Sequence, residues 1–441
     1  MVEEKSILKT VLFHNFSKWN VNLYLNKFDI KYKWKPVSLE KIMKPRKERI
    51  KNKDYKGQFP IVEKIRFSDG KVFFREEKNP KTDLNVSCVN DLLVSNINFE
   101  KGAFAINTFE TIVTSTDYQS YELLVPIDFD YFNQILRTEK FLLQVKSLKS
   151  GGMKTRARYD FLKQFEIPIP PISEQKAIVQ KYQDTINEAE KLEKEANFLL
   201  NDSHLYFDNL LQIEDIQPSF VSGLNFIHYK NIDLWGIDKN LCRKTIRNKK
   251  YKTVSLENLC SVGSGGTPSR NHSEYYRDGN IPWIKTTEVI DEIISDTEEK
   301  ITQKGLENSS AKLYEANSLI IAMYGQGKTR GRTAKLNVRA TTNQACAVLY
   351  DINESLVNID YLWFYFQNEY ERIRELASGN NQPNLNAGMI KTYPIVLPPL
   401  PVQNDIVEHI NHIKAQVKDL RQQAKELREK AKLEFERSVF E

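Results

Sequence analysis

The stretch AMYGQGKT, residues 322–329, follows an apolar run and ends in Gly-Lys-Thr, residue types that can cradle a nucleotide phosphate. Such a cradle requires glycine where Ala322 stands, and a helix after Lys328 whose N-terminus faces the phosphates. The chain continues instead as TRGRTAKLNVR, with no helical apolar spacing, so a phosphate loop is not expected. Glu298 and Lys300 in DTEEK, with Asp291 or Asp296 nearby, have the spacing of a metal-dependent nuclease, but a solvated charged loop explains them more simply. His409 and His412 stand one turn apart without a carboxylate or thiol beside them, which suits surface or seam histidines better than a zinc site. Cys88, Cys242, Cys260 and Cys346 show no C-x-x-C spacing. Zinc and a disulfide framework are therefore not expected, and a reduced, cytoplasmic setting fits. G-x-S-x-G is absent, and both Pro-Pro pairs are flanked by Ile, Leu and Val rather than set in an Asn/Asp-Pro-Pro-aromatic loop. The expectation is a chain without catalysis, metal or cofactor of its own. A self-contained nuclease or NTPase is the alternative, and a coiled-coil protein scaffold is another.

Cation-bearing loops are the more promising chemistry. Lys328, Arg330 and Arg332 are interleaved with Gly325, Gly327 and Gly331 in a loop that opens Tyr324-Gly325-Gln326, where missing side chains let backbone approach a phosphate closely. Arg270, after Pro268, and Lys285 with Thr286 and Thr287 add donors. Asn380, Asn381 and Gln382 follow Ser378–Gly379, and their amides suit the adenine edge. In the first half, the equivalent turn carries Lys154, Arg156 and Arg158, and KPRKERIKNK brings Lys44, Arg46, Lys47 and Arg49. These residues are the candidate DNA contacts, with a merely soluble face as the competing reading. A net charge of +6, from 64 basic and 58 acidic residues, permits a nucleic-acid partner only through such local clustering.

What positions these loops is a duplicated architecture. IPIPPISEQKAIV at 167–179 returns as IVLPPLPVQNDIV at 395–407, so that Pro170 answers Pro398 and Gln175 answers Gln403 at a constant spacing of 228 residues. Upstream, PVSLEKI (36–42) matches TVSLENL (253–259), NDLLVS (90–95) matches NSLIIA (317–322), and IDFDYF (127–132) matches VNIDYL (357–362). A repeat this long is a domain. Short apolar runs such as DLLVS, SLIIAMY, QACAVLY and FEIPIP read as strands. DYFNQILRTEKFLLQVKSL and DYLWFYFQNEYERIRELA have helical spacing up to Ser-Gly.

After each Pro-Pro the period changes. Ile406, Ile410, Ile413, Val417, Leu420, Ala424 and Leu427 step by fours and threes, a heptad seam. Val179, Tyr182, Ile186, Ala189 and Leu192 form a rougher version, and its register carries on through Leu205, Phe207 and Leu211, opposite Leu433, Phe435 and Val439. Each helix spans about 39 residues, or roughly 58 Å, and the natural partner of each is the other, packed antiparallel. The predicted fold is α+β: two pseudo-symmetric mixed α/β globules separated by two long antiparallel helices that form a coiled coil. The expected boundaries are 1–172, a first helix at 173–213, a second globule at 214–401 and a second helix at 402–441. The N-terminus lacks a signal-peptide pattern, and no eighteen apolar residues run together, so no membrane span is expected.

The order globule, PIPPISEQKAIV helix, globule, VLPPLPVQNDIV helix resembles the specificity subunit of type I restriction-modification systems over essentially the whole chain. VSLENLCSVGSGGTPSR, GNIPWIKTTEV, YGQGKTRGR, TTNQACAVL and NQPNLNAGMI look like its target-recognition domain, whereas the first half lacks GGTPS and diverges from Ile112 to Tyr121. The resemblance implies two target-recognition domains, each reading one half of a bipartite asymmetric site in double-stranded DNA. It further implies that the helices set the spacer and recruit two methyltransferase subunits, which carry S-adenosylmethionine and methylate adenine. Restriction (nuclease-translocase) subunits would join through them.

Overall fold

The computed structural model describes residues 30–76, 79–147, 158–216, 245–248, 250–325, 327–377 and 384–440. In the first half the elements that matter are β1 (Pro36–Ser38), β2 (Met43–Pro45), β3 (Leu92–Ser95), β4 (Phe104–Ile106), β5 (Tyr118–Leu123), α1 (Phe129–Ile135), α2 (Glu139–Ser147), β6 (Glu166–Pro168) and the long helix α3 (Ile172–Leu211). The second half adds β7 (Lys252–Ser255), β8 (Ser261–Ser264), β9 (Leu319–Ala322), β10 (Thr333–Leu336), β11 (Cys346–Tyr350), α4 (Ile359–Asn368), α5 (Tyr370–Glu375), β12 (Pro394–Leu397) and α6 (Leu400–Val439). Two compact units divide the chain: Met1–Glu193 with Arg421–Glu441, and Lys194–Leu420. Each unit therefore takes half of each long helix.

The first unit is built on an antiparallel sheet in the order β2-β5-β3-β4. The second unit repeats it as β8-β11-β9-β10, with Ile293–Ile294 added in parallel at the β10 edge. A separate ribbon, β1 with β6 in one unit and β7 with β12 in the other, carries the chain to the long helix. The repetition extends to single atoms. The Ser38 hydroxyl donates to the Lys163 carbonyl at 2.7 Å, and that of Ser255 to Lys391 at 3.0 Å. Tyr131 donates to the Pro168 carbonyl at 2.8 Å, and Tyr361 to that of Val396 at 2.5 Å. Asn90 and Asn317, each at the head of a buried strand, hold left-handed φ values of 68° and 67°, a conformation asparagine tolerates better than most residues.

The two segments read as single helices are each broken in two. In the first unit the break falls between α1 and α2, where the Thr138 hydroxyl donates to the Ile135 carbonyl, a local bond that competes with helix continuation. In the second it falls at Glu369, between α4 and α5. Asp128 and Asn358 cap the starts of α1 and α4, their side chains accepting first-turn amides. The Ser-Gly pairs at 150–151 and 378–379 lie outside the described residues.

Both long helices are 40 residues, and Pro171 and Pro401 stand at their starts, where a missing N–H costs nothing. In the first unit Lys181 pairs with Glu434 at 3.2 Å, and Glu193 with Arg421 at 3.3 Å and Arg428 at 3.4 Å. The partner number falls as the residue number rises, so the helices are antiparallel there. In the second unit Ala196 clusters with Ile413 and Val417, and the Tyr206 ring lies 4.0 Å from that of His409, again antiparallel. Ala189, Ile406, Ile410, Ile413, Val417 and Ala424 are buried, and Val179, Tyr182, Ile186, Leu192, Leu420 and Leu427 half-buried. The helix ends plug into globule cores: Phe435 and Val439 join Tyr121, Phe132 and Phe165 in one unit, while Phe207 and Leu211 join Tyr361, Tyr365 and Ile395 in the other. Leu205 and Leu433, which correspond across the repeat, are alike in lying outside the seam. They are 62% and 50% exposed, because the period places them on the outer face of each helix. Among the described residues, no helix is long and apolar enough to cross a membrane.

Candidate nucleic-acid interface

The Gly-Lys-Thr stretch is the tip of a β-hairpin. Strand β9 ends at Ala322, whose carbonyl accepts from Gly331 at 2.8 Å and whose amide donates to Arg332 at 2.8 Å, and the chain returns antiparallel as β10. No helix follows Lys328, so the strand-to-helix geometry of a nucleotide cradle is replaced by a projecting loop. Gly325, Gly327 and Gly331 have φ of 134°, 66° and 87°, conformations that other residues adopt only with strain. Tyr324 and Lys328 are exposed, and no carboxylate pairs with Lys328 among the described residues. Arg330 is half-buried, and burial with the neighbouring Arg374 charge holds its guanidinium below its ordinary value. Arg332 points back instead, pairing with Asp291 at 2.9 Å, whose other oxygen accepts from the Thr333 amide and hydroxyl.

The underside of this loop rests on α5. The Tyr370 hydroxyl donates to the Lys328 carbonyl at 2.7 Å. Arg374 donates to the carbonyls of Arg330 at 2.7 Å and Gly327 at 2.8 Å, and its guanidinium lies 5.0 Å from the Tyr370 ring centre. Neither residue was singled out by composition. The signal available was their four-residue spacing, which places both on one face of a short helix.

Arg270 and Lys285 form a second cationic group in the same unit. The Arg270 guanidinium stacks 4.2 Å from the Tyr276 ring and 5.0 Å from that of Trp283, and donates to Glu299 at 2.6 Å. Lys285 reaches Glu298 at 2.8 Å and Glu299 at 3.2 Å. Thr286 and Thr287 follow in a single turn, Thr287 exposed and Thr286 half-buried. Lys300 pairs with Asp296 at 2.9 Å, so the nuclease-like Glu298 and Lys300 are engaged with different partners. No group of His, Cys, Asp and Glu able to hold a metal ion occurs among the described residues. The glycines of GGTPS serve packing: a Cβ on Gly265 would lie 1.9 Å from the Thr342 carbonyl oxygen, and one on Gly266 would lie 2.3 Å from Ser310 Oγ.

In the first unit Arg46 makes a two-pronged pair with buried Asp91, at 2.5 and 2.9 Å. Its guanidinium is held well above its ordinary value, chiefly by that hydrogen bond. Lys44 pairs with Glu122 at 3.1 Å, while Lys47, Arg49 and Arg158 are exposed. Lys154, Arg156, Gln326, Asn380, Asn381 and Gln382 lie outside the described residues.

Each unit also carries a buried glutamine at the root of its long helix. Gln175 accepts from the Asp128 amide at 2.8 Å and donates to the Pro170 carbonyl at 2.8 Å. Gln403 accepts from the Asn358 amide at 2.7 Å and donates to the Pro398 carbonyl at 2.8 Å and that of Leu356 at 3.0 Å. One side chain thus ties the Pro-Pro turn, the long helix and the cap of α1 or α4 together.

An α+β globule built twice, the second copy carrying an exposed cationic hairpin, with the long helices paired antiparallel within each unit, defines a duplicated module. The family model for the type I restriction modification DNA specificity domain matches residues 31–199 and again 248–429, and the chain belongs to that family. It is 27% identical over 175 residues to the type I restriction enzyme EcoR124I/EcoR124II specificity subunit of Escherichia coli, a match covering 38% of this chain and 43% of that relative. To the MjaIX specificity subunit of Methanocaldococcus jannaschii it is 22% identical over 304 residues, covering 65% of this chain and 63% of the relative. The matches therefore span less than two thirds of the length of either relative. A solved chain from work on complex assembly and conformational transition of the type I R-M system shares the fold, with a TM-score of 0.60 at 16% identity over 93% of this chain and 98% of that one.

Proposed function

We propose that this chain is the DNA sequence-specificity subunit of a type I restriction-modification complex, reading a bipartite asymmetric site with one globule per half-site. The observation that carries the reading is the duplication itself, since the same sheet order, ribbon and buried glutamine are built twice, with different surface loops on each copy. Two copies of one scaffold with divergent loops suit two different half-sites. In this reading residues 1–172 and 214–401 are the recognition domains, and 173–213 and 402–441 the helices that hold two methyltransferase subunits. Those partners supply S-adenosylmethionine and the transfer of methyl groups to adenine, and restriction subunits join through them. The chain itself performs no catalysis.

Among the candidate contacts, the exposed cations Lys328, Lys47, Arg49 and Arg158, together with Arg330 and Tyr324, suit phosphate contact best. Arg46, Arg270, Lys285 and Arg332 are committed to carboxylates and support their neighbours. The amides of Asn380, Asn381 and Gln382 remain proposed base readers on their chemistry alone. The test is to co-express the chain with its methyltransferase partner and sequence the methylome of the host. A two-part adenine-methylated motif with a fixed spacer is expected, and a single continuous motif or no methylation would overturn the reading.

A further inference from the structure

Three carbonyls at the hairpin tip, those of Gly327, Lys328 and Arg330, are taken up on the protein side by Arg374 and Tyr370. Left free at a hairpin tip, such oxygens would present their negative ends to a phosphate chain and oppose it. A guanidinium suits this work because its fork of donors serves several acceptors at once. Here Nη1 serves Arg330 and the Tyr370 hydroxyl, Nη2 serves Gly327, and Nε lies 4.0 Å from Glu371. With both terminal nitrogens bound to the protein's own oxygens, Arg374 is not itself the group offered to DNA. The loop lies directly on the pair: a Cβ on Gly331 would sit 3.0 Å from Arg374 Cγ and 3.4 Å from Tyr370 Cδ2.

We propose that Arg374 and Tyr370 are positioning residues for DNA contact, turning the loop's carbonyls inward so that Lys328 and Arg330 are offered together to adjacent phosphates. The inference rests on the DNA-reading function above. Ordering the loop in advance removes the entropy that binding would otherwise have to spend.

The test is a double-mutant cycle on the full chain, measuring affinity for a mixed-sequence DNA duplex across a salt series. Lys328→Ala should lower the slope of log affinity against log salt by about one, the value of one phosphate contact. Arg374→Lys keeps the charge but replaces two separated terminal nitrogens by one, which cannot span acceptors held by a planar fork, and should weaken binding roughly tenfold and lower the slope by at least as much. Adding Lys328→Ala to Arg374→Lys should then cost less than about twofold, because residues acting through one another are not additive. Tyr370→Phe removes the hydroxyl's two hydrogen bonds, to the Lys328 carbonyl and from Arg374, while keeping the ring, and should show the same non-additivity at smaller amplitude should Arg374→Lys fold poorly. Additive losses, or full slope in both variants, would overturn the positioning role while leaving the DNA reading intact. A neutral Lys328→Ala would remove the loop from the DNA interface, and the positioning role with it.

Discussion

Glu369 stands at the break between α4 and α5 with no surface exposed, accepting from the Tyr393 hydroxyl at 2.6 Å and pairing with Arg372. Burial outweighs both partners and pushes its carboxyl up to about 7. A carboxyl that holds its proton more tightly when folded favours the native state at low pH, and that contribution is lost as pH rises through about 7. The unfolding free energy of the native chain should therefore fall, on the order of 1–3 kcal/mol, between the ordinary carboxylate range and neutral pH. Glu369→Gln should flatten that part of the profile, and identical profiles for the two chains in denaturant titrations would remove burial of this group as the cause. The same scale explains why the cations of the proposed DNA site could be found in the sequence but not sorted. Arg46, Arg332 and Lys328 are alike in a sequence, and what separates them is an aspartate far along the chain. Asp91 occupies the first and Asp291 the second, while no carboxylate occupies Lys328 among the described residues. Spacing finds the cations, whereas only the fold decides which are already neutralised.

The elements were more legible where their signal is local. Heptad steps and flanking prolines marked both long helices, because a buried stripe and a missing N–H each act within one or two turns. Sheet order was not legible, since β3 pairs with β5 and β4, and β9 with β11 and β10, across loops whose closure leaves no periodic trace. The repeated Gln after Pro-Pro was visible as a match, but its task was not. Each amide satisfies backbone groups that would otherwise be buried without partners. Gln403→Met would orphan the Asn358 N–H and the carbonyls of Pro398 and Leu356, whereas Gln175→Met would orphan the Asp128 N–H and the Pro170 carbonyl. Each substitution should cost roughly 2–4 kcal/mol, with Gln403→Met the more severe. Chemical denaturation of the full chain checks the order, and a loss below about 0.5 kcal/mol would mean that water or a shifted backbone replaces the amide.

At the scale of the molecule, the proposed reading makes the helix pair the measure of the DNA spacer, and its packing dictates how that measure can be changed. The seam recurs every seven residues, and the Glu193 carboxylate bridges Arg421 and Arg428, one heptad apart on the opposing helix. Seven residues inserted into both helices at matched points, after Glu193 and before Arg421, return the apolar stripe to within about 20° of its original phase. Four residues inserted into one helix alone would turn the apolar stripe by about 40° against its partner and leave the two helices out of register beyond the insertion. The matched insertion adds about 10 Å of helix, equivalent to about three base pairs at 3.4 Å per step. Methylome sequencing of cells carrying that variant with its methyltransferase partner should therefore return both half-sites unaltered, separated by a spacer about three base pairs longer. An unchanged spacer would show that the globules, and not the paired helices, set the distance between half-sites, because the helices would have lengthened without moving either point of reading.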